Sequence, residues 1–186
     1  MRTFVGIPLP GSFREWMQGF GAAVKCFDSP VRVVPPKTCH VTLCFLGDIQ
    51  PVHVDVLADR LKTTVARHRA LNIDLDCLGV FRHGEDPSVL WAGCSRENRA
   101  LSELAAAVGE ACSDIMKRNR ERFLLHVTLA RFVGSGGVVD TRTMSRAFPG
   151  PYSFLATHVV LFESILGLGT PEYRSLLSIP LPSVAE

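Results

Sequence analysis

The chain has 186 residues, of which 47% are hydrophobic, and this is enough for a buried core and excludes a largely disordered protein. Its formal charge of +2 is too small to indicate wholesale binding of nucleic acid. No apolar stretch approaches the ~20 residues that a membrane helix needs, and the first residues lack the pattern of a secretion signal. We therefore expect a cytoplasmic protein with no membrane partner.

The first part of the chain predicts two strands around a helix, followed by a longer strand. Residues 2–9 form an apolar run that ends in proline, which is typical of a short strand. A helix is predicted to begin at Ser12, because Ser12 and Glu15 have the spacing of a capping box. Residues 31–34 predict a second strand, and residues 39–46 predict the longer one.

The strand predicted over residues 39–46 contains the tetrapeptide His-Val-Thr-Leu, which begins at His40. Side chains alternate along a strand, so His40 and Thr42 share one face while the valine and leucine point to the other. This pattern suits a strand with one face buried and one face lining a cleft. A single His-x-Thr is nevertheless common in strands and more often marks a surface histidine.

The middle of the chain predicts two helices and a hairpin. Helices are predicted from residue 51 to 65 and over residues 98–117, because apolar side chains recur there at helical spacing. Two strands, 71–81 and 88–94, are predicted between them, joined by a polar turn. The turn can overhang a cleft, which makes His83 a minor candidate for substrate contact beside its alternative as a plain loop histidine.

The last part of the chain predicts the second motif strand and further strands. Residues 117–122 form the densest basic cluster, which is either a contact for an RNA backbone or a solvated loop. A strand over residues 123–132 follows, and His-Val-Thr-Leu recurs in it. A short helix over residues 140–147 and strands over 152–164 and 173–181 complete the chain.

The second tetrapeptide places His126 and Thr128 on one face of their strand, as His40 and Thr42 are on theirs. Strand, helix and motif strand occur twice in similar order, which indicates a duplicated α+β unit with helices packed outside antiparallel sheets. Two lobes would then place the motifs across a shared central cleft. One imidazole could accept a proton while the other donates one, and the hydroxyls could bind a phosphate.

Most of the six cysteines are expected to be reduced, buried thiols, because no Cys-x-x-Cys pair is present and nothing suggests export. Cys39, His40 and Cys44 lack a second ligand pair at the spacing of a zinc site. No cluster of carboxylates at ligand spacing lies near either motif. We therefore predict no metal and no other cofactor, and an acid–base pair in place of a metal-activated water.

The tetrapeptides and the segments around them resemble the 2H phosphoesterase superfamily, and within it the RNA 2',3'-cyclic phosphodiesterases of bacteria and archaea, also called 2'-5' RNA ligases. The likeness is carried by both tetrapeptides and by Arg2–Leu9, Val31–Pro36, Phe45–Gly47, Val89–Gly93, Arg131 and Val159–Ser164. It implies a bilobal fold with a pseudo-twofold axis through the site. Residues 1–186 would form a single domain of two intertwined lobes, each with one His-x-Thr motif.

The resemblance implies unequal roles for the two histidines. His40 resembles the proton donor to the leaving ribose oxygen, and His126 resembles the proton acceptor that activates water, although the residues alone leave this order open. Thr42 and Thr128 match the threonines that hold the nonbridging phosphate oxygens in that family.

Phe45 and Arg131 also match positions of the family that contact the substrate. Phe45 resembles a ring that stacks on the nucleobase, and Arg131 resembles an arginine near the phosphate or the base. Each lies five residues after its motif histidine, so in a regular strand it would point to the opposite face. A twist, a bulge or a strand end must intervene for either to reach the ligand, and otherwise it belongs to the core.

The resemblance implies hydrolysis of RNA 2',3'-cyclic phosphate ends, or of cyclic nucleotides, to 2'-phosphomonoesters. We expect a monomer. Two alternatives stay open: the reverse reaction, which joins a cyclic end to a 5'-hydroxyl in a 2'-5' linkage, and a non-catalytic module that binds RNA ends.

Overall fold

The computed structural model describes residues 1–27, 30–116, 123–134, 139–165, 167 and 171–183, without the side chains of Cys26 and Thr141. Ten strands and four helices lie within these ranges. The strands are β1 (Arg2–Pro8), β2 (Val31–Val33), β3 (His40–Asp48), β4 (Leu71–Leu75), β5 (Cys77–His83), β6 (Asp86–Gly93), β7 (Val127–Phe132), β8 (Tyr152–Ala156), β9 (His158–Ile165) and β10 (Glu172–Pro180). The helices are α1 (Phe13–Ala23), α2 (His53–Val65), α3 (Arg99–Ala111) and α4 (Thr141–Ala147).

Eight of the described strands form one antiparallel sheet in the order β10-β9-β1-β3-β7-β6-β5, with β2 paired to β7. The motif strands β3 and β7 are neighbours in its centre, joined where Val41 lies opposite Val127. The other two described strands, β4 and β8, pair with each other in a separate sheet. The predicted α+β fold with antiparallel sheets is therefore confirmed.

The core lies between the inner face of the large sheet and the helices. Helices α2 and α3 contact each other and bury their predicted apolar faces, so that Leu57, Leu61, Leu101 and Leu104 have no exposed surface. Burial of one such side chain contributes about 1.5–3 kcal/mol, so these leucines hold the helices on the sheet. Among the described helices, none is long and apolar enough to span a membrane.

The predicted capping box at the start of α1 is wrong. Ser12 already has helical backbone angles, because Phe13 donates a hydrogen bond to the carbonyl of Pro10 and the chain is turning before the helix begins. The side chain of Ser12 makes no capping bond, since a capping residue needs extended angles. Its hydroxyl lies 2.8 Å from the hydroxyl of Tyr152 instead.

Two predicted long strands are each divided between the two sheets. The run over 71–81 breaks at Asp76, whose carboxylate accepts hydrogen bonds from the amide and hydroxyl of Ser95 at 2.6 and 2.7 Å. The run over 152–164 breaks at Thr157. Neither break carries a proline or a glycine, the usual signals of a strand end, so the sequence does not reveal where the chain changes sheets.

The helix predicted over residues 98–117 is shorter in the structure. Asn98 is its N-cap and accepts a hydrogen bond from the amide of Leu101 at 3.1 Å, and the helix ends at Ala111. The basic cluster at 117–122, which was predicted to follow it, lies outside the described residues.

Candidate active site

His40 is the first residue of β3 and His126 directly precedes β7, and both histidines face one cleft. Val41 and Val127 lie opposite each other and have no exposed surface, so the residues on either side of them point away from the core. His40 and His126 therefore lie on the opposite face of the sheet, and both line the same cleft. Because each histidine directly precedes one of the paired valines, the two histidines are diagonal neighbours. The Cα atoms of diagonal neighbours are about 7–8 Å apart in a regular ladder.

Each histidine ring is held by a backbone carbonyl two residues before it. Nδ1 of His40 lies 2.8 Å from the carbonyl oxygen of Thr38, and Nδ1 of His126 lies 3.0 Å from that of Leu124. A carbonyl oxygen only accepts hydrogen bonds, so Nδ1 of each ring carries a hydrogen. Nε2 of each neutral ring then bears the lone pair that can accept a proton.

Aromatic side chains flank both imidazoles. The ring of Phe4 stacks on His40 with centroids 4.5 Å apart, and the ring of Tyr173 meets His40 edge-on at 5.0 Å. Phe81 meets His126 edge-on at 5.0 Å. No role could be predicted for these three residues from the sequence, because their contacts join strands that are far apart in the chain.

Burial lowers the pKa of both histidines. The pKa of His40 falls from its ordinary value of 6.5 to about 4, chiefly because burial disfavours the charged ring; its hydrogen bond to Thr38 opposes the shift, and repulsion from His126 adds to it. The pKa of His126 is also lowered by burial, against the opposing effect of its bond to Leu124. Both rings are therefore neutral at pH 7 in the free protein. The pKa of Tyr173 is raised by burial, so its hydroxyl stays protonated and can donate.

Thr42 and Thr128 line the cleft beside the histidines, as the alternation predicts. Thr42 is 8% exposed and Thr128 is half-buried. Within the described ranges, neither hydroxyl has a hydrogen-bond partner in the protein. Both hydroxyls can therefore donate to a ligand that enters the cleft.

A bulge in β3 brings Phe45 into the cleft. The register of β1 and β3 pairs Gly6 with Thr42 and Val5 with Cys44, so it skips Leu43. An extra residue changes the alternation, and Phe45 thereby joins the face that carries Thr42. Its side chain is 60% exposed and lines the cleft.

A bulge in β7 likewise brings Arg131 into the cleft. The register of β6 and β7 pairs Trp91 with Thr128 and Leu90 with Ala130, so it skips Leu129. Arg131 is exposed and lines the cleft on the side of Thr128. The expected irregularity in each strand is therefore present, and it falls on the leucine of each tetrapeptide. Phe45 and Arg131 occupy equivalent positions in the two halves of the fold.

The cleft encloses about 1360 Å³ and is lined by residues of β1, β2, β3, β5, β7, β9, β10 and α3. The six residues that the resemblance assigns to the site all lie in its wall: His40, Thr42, Phe45, His126, Thr128 and Arg131. It also includes Arg2 and Arg32, which the sequence analysis missed. Arg32 alternates with half-buried valines in β2, and this alternation could have indicated a side chain on the cleft face.

Of the other candidates from the sequence, Cys39 and Cys44 line the cleft and His83 does not. His83 is exposed at the end of β5. The five cysteines whose side chains are described are free thiols. In the part of the chain that the structure describes, no three His, Cys, Asp or Glu side chains come together in a way that could hold a metal ion.

Comparison with known proteins identifies relatives along most of the chain. A family model described as the 2'-5' RNA ligase superfamily matches residues 10–166. The RNA 2',3'-cyclic phosphodiesterase of Geobacillus stearothermophilus is 27% identical over 181 residues, which cover 96% of this chain and 56% of that protein. The protein of the same name from Archaeoglobus fulgidus is 28% identical over 131 residues, 70% of this chain and 72% of that one. The chain thus spans little more than half the length of the first of these relatives.

Solved structures share the fold over almost the whole length. The Thermus thermophilus protein TT0787 has a TM-score of 0.76 and 23% identity, with 98% of this chain and 99% of that chain covered. LigT of E. coli, complexed with 3'-AMP, has a TM-score of 0.76 and 25% identity, with 97% of each chain covered.

Proposed function

The chain belongs to the 2'-5' RNA ligase superfamily, and we propose that it hydrolyses RNA 2',3'-cyclic phosphate ends to 2'-phosphomonoesters, with His40 and His126 as an acid–base pair. The observation that carries the proposal is the pair of imidazoles where two neighbouring strands begin, each with its Nε2 free of the backbone contact that holds Nδ1. Relatives named RNA 2',3'-cyclic phosphodiesterase support the reaction class.

The reaction requires two groups on opposite sides of one phosphorus atom. Water must attack in line with the departing oxygen, so the base and the acid flank the phosphate. The Cα atoms of the two histidines are about 7–8 Å apart as diagonal neighbours, which leaves room for a phosphate between the two imidazole rings. Because one chain supplies both histidines to one cleft, we propose that a single copy of the protein is a complete enzyme, and that residues 1–186 act as one domain.

The proposed step transfers two protons. Nε2 of His126 accepts a proton from water as the water oxygen bonds to phosphorus, and the bond from phosphorus to O3' breaks. Nε2 of His40 donates a proton to O3', which leaves as a ribose hydroxyl, and the phosphate stays on O2'. Exchange with solvent restores the starting protonation of both rings.

Binding of the substrate supplies the conditions for this step. Both rings are neutral in the free protein at pH 7, whereas the reaction needs one of them protonated. A phosphodiester anion between the rings raises the pKa of both, because an opposite charge within ~4–6 Å favours the charged form. The substrate therefore promotes uptake of the proton that its leaving oxygen later receives.

The remaining site residues bind the substrate in this proposal. The hydroxyls of Thr42 and Thr128 donate to the nonbridging phosphate oxygens, and the guanidinium of Arg131 adds positive charge as negative charge develops. The ring of Phe45 stacks on the terminal base, a contact of about 1–3 kcal/mol. The exposure of Phe45 beside the cleft supports this role.

We further propose that no metal ion takes part, because two titrating imidazoles supply the proton transfers that a metal-bound water would otherwise provide. The test is to treat the protein with a chelator and incubate it with 2',3'-cyclic AMP and with a cyclic-ended oligonucleotide. We expect undiminished turnover and a 2'-phosphate product. A 3'-phosphate product, or no turnover with or without added divalent ions, would contradict the proposal.

The reverse reaction is the second candidate, because the matching family model is named for 2'-5' RNA ligation. It would use the same histidines with a 5'-hydroxyl in place of water. Water at about 55 M competes with a scarce RNA hydroxyl, so hydrolysis dominates unless the second RNA is bound and oriented. Comparing products with and without a 5'-hydroxyl acceptor separates the two reactions.

A further inference from the structure

Two arginines face each other across neighbouring strands in the wall of the cleft. Arg32 on β2 lies directly opposite Arg131 on β7, and both side chains are exposed and line the cleft. Directly opposite residues of antiparallel strands have Cβ atoms about 4.5–5.5 Å apart. The two guanidinium groups can therefore reach a single ligand together.

Neither of these two charges has a counterion among the residues that the structure describes. Within the described ranges, neither arginine makes a hydrogen bond or an ion pair. Asp48, a carboxylate that lines the same cleft, lies opposite Arg2 on another strand pair. Like charges directly opposite each other on strands are destabilising, so an anion bound between them would relieve a cost that the free protein bears.

The two motif strands carry different side chains at matching positions beside the cleft. Phe45 and Arg131 occupy equivalent positions, five residues after their histidines and two after their bulges. The ring of Phe45 lies beside that of Phe4, whereas Arg131 lies beside Arg32. A terminal nucleotide whose base stacks on Phe45 leaves the Arg32–Arg131 pair with capacity for a second anion.

The size of the cleft agrees with a ligand longer than one nucleotide. Its volume of about 1360 Å³ exceeds the roughly 300–1,000 Å³ of pockets that enclose drug-sized molecules. Arginine is suited to the additional group, because its planar guanidinium binds phosphate oxygens in a bidentate manner.

We propose that Arg32, together with Arg131, forms a second anion subsite that binds an RNA phosphodiester adjoining the reacting phosphate. This inference rests on the proposed function and extends it from a cyclic nucleotide to a strand. The phosphodiester belongs either to the strand that bears the cyclic end or to an incoming 5'-hydroxyl strand, and the two sources are distinguished by experiment.

The test compares substrates with and without the additional phosphodiester, in the wild type and in Arg32→Gln. The substrates are 2',3'-cyclic AMP and an ApA dinucleotide that ends in the same cyclic phosphate. We expect Arg32→Gln to raise KM for the dinucleotide about tenfold with little change in kcat, because one charge-assisted contact is lost. We expect kcat/KM of Arg32→Gln for 2',3'-cyclic AMP to stay within about twofold of the wild-type value, since this substrate has no second phosphate for Arg32 to contact.

Salt dependence and a matched variant complete the comparison. The slope of log affinity against log salt for the dinucleotide should fall by about 0.7 in Arg32→Gln, as for loss of one contact to a single strand. Arg67→Gln makes the same change of charge at an exposed residue outside the cleft and should leave both substrates unaffected. Arg32→Gln should also unfold no more easily than the wild type, because it removes a repulsion and no bond.

The source of the phosphodiester follows from where the loss appears. If Arg32→Gln weakens hydrolysis of the dinucleotide, the phosphodiester belongs to the strand with the cyclic end. A loss only in joining to a 5'-hydroxyl dinucleotide assigns it to the acceptor strand. Equal losses with cyclic AMP and the dinucleotide, or no loss in any reaction, would overturn the subsite.

A binding measurement separates failure of the subsite from failure of the proposed function. It compares 3'-AMP with an ApA dinucleotide that ends in a 3'-phosphate, neither of which can be turned over by the proposed step. Tighter binding of the dinucleotide that Arg32→Gln abolishes supports the subsite even if no cyclic end is hydrolysed. Equal affinities in a wild type that hydrolyses cyclic ends overturn the subsite and leave the proposed function standing.

Discussion

Val41 and Val127 lie directly opposite each other where the two halves of the large sheet meet, and neither has exposed surface. Burial of this pair sets the register of the two motif strands, because a slip of one residue would move every side chain to the other face. The positions of His40 and His126 across the cleft thus depend on two side chains that never touch a ligand.

We predict that Val41→Ala and Val127→Ala each destabilise the protein by about 1–3 kcal/mol, because each removes buried methyl groups and leaves a cavity. Contacting residues are coupled, so the double variant should deviate from the sum of the single ones. Denaturant unfolding measures these values. Val52→Ala, at a residue that is 71% exposed, is the control and should change the free energy of unfolding by less than about 0.5 kcal/mol. Additive losses of unfolding free energy would show that the two valines are not coupled and that the contact between the two halves of the large sheet lies elsewhere.

Replacement of either motif histidine should abolish most turnover without unfolding the protein. We expect His40→Ala and His126→Ala to lower kcat by about 10²–10⁴, the usual effect of losing an acid or a base. His83→Ala, at an exposed histidine outside the cleft, should retain full activity. Initial rates with 2',3'-cyclic AMP, together with thermal unfolding of each variant, check this. Full activity in either motif variant would remove that histidine from the mechanism.

The value of kcat/KM should have its optimum below pH 6.5. The profile of kcat/KM reports the free enzyme, in which the productive form of the pair carries one proton. Because burial lowers the pKa of His40 to about 4 and that of His126 below its ordinary 6.5, this form becomes scarce as pH rises above both values. We expect kcat/KM to fall about tenfold per pH unit above neutrality and to fall again in strong acid, whichever ring is the acid.

The profile of kcat should lie at higher pH, because the bound phosphodiester raises the pKa of both rings. A series of initial rates between pH 4 and pH 9, with stability checked at each pH, measures both profiles. A value of kcat/KM that rises steadily through pH 8 would contradict a mechanism that uses this pair.

The hydroxyls of the two threonines should act as hydrogen-bond donors to the phosphate. Thr128→Val keeps the shape of the side chain and removes its hydroxyl, so we expect kcat/KM to fall about tenfold or more. Thr128→Ser keeps the hydroxyl and should lose much less. Steady-state kinetics of both variants test this, and equal losses would indicate that the methyl group of Thr128 matters through packing.

The sequence was informative where the same residues recur in two separate strands. Two identical tetrapeptides and the alternation of strand residues were enough to place His40 and His126 on cleft-facing positions. Alternation also showed that Phe45 and Arg131 needed an irregular strand to reach the ligand. It did not show where, because a bulge is defined by the register with a partner strand, and that register arises only from tertiary pairing.

The residues that were missed depend on contacts between distant segments. Phe4 and Tyr173 enclose His40 from strands that lie far from it in the chain. Arg32 gained significance only once β2 was seen to pair with β7. The lowered pKa values likewise follow from burial, which a local pattern does not measure.

The carbonyl that holds each imidazole has a consequence for how the site can change. Many catalytic histidines are steered by a separate carboxylate, and substitution of that one side chain can undo them. Here the steering group is main chain, which every amino acid possesses, so no exchange of side chains at Thr38 or Leu124 deletes it. Each proton-transfer unit is thus nearly self-sufficient within five consecutive residues, and a gene duplication that copied such a segment would have copied a working half of the catalyst.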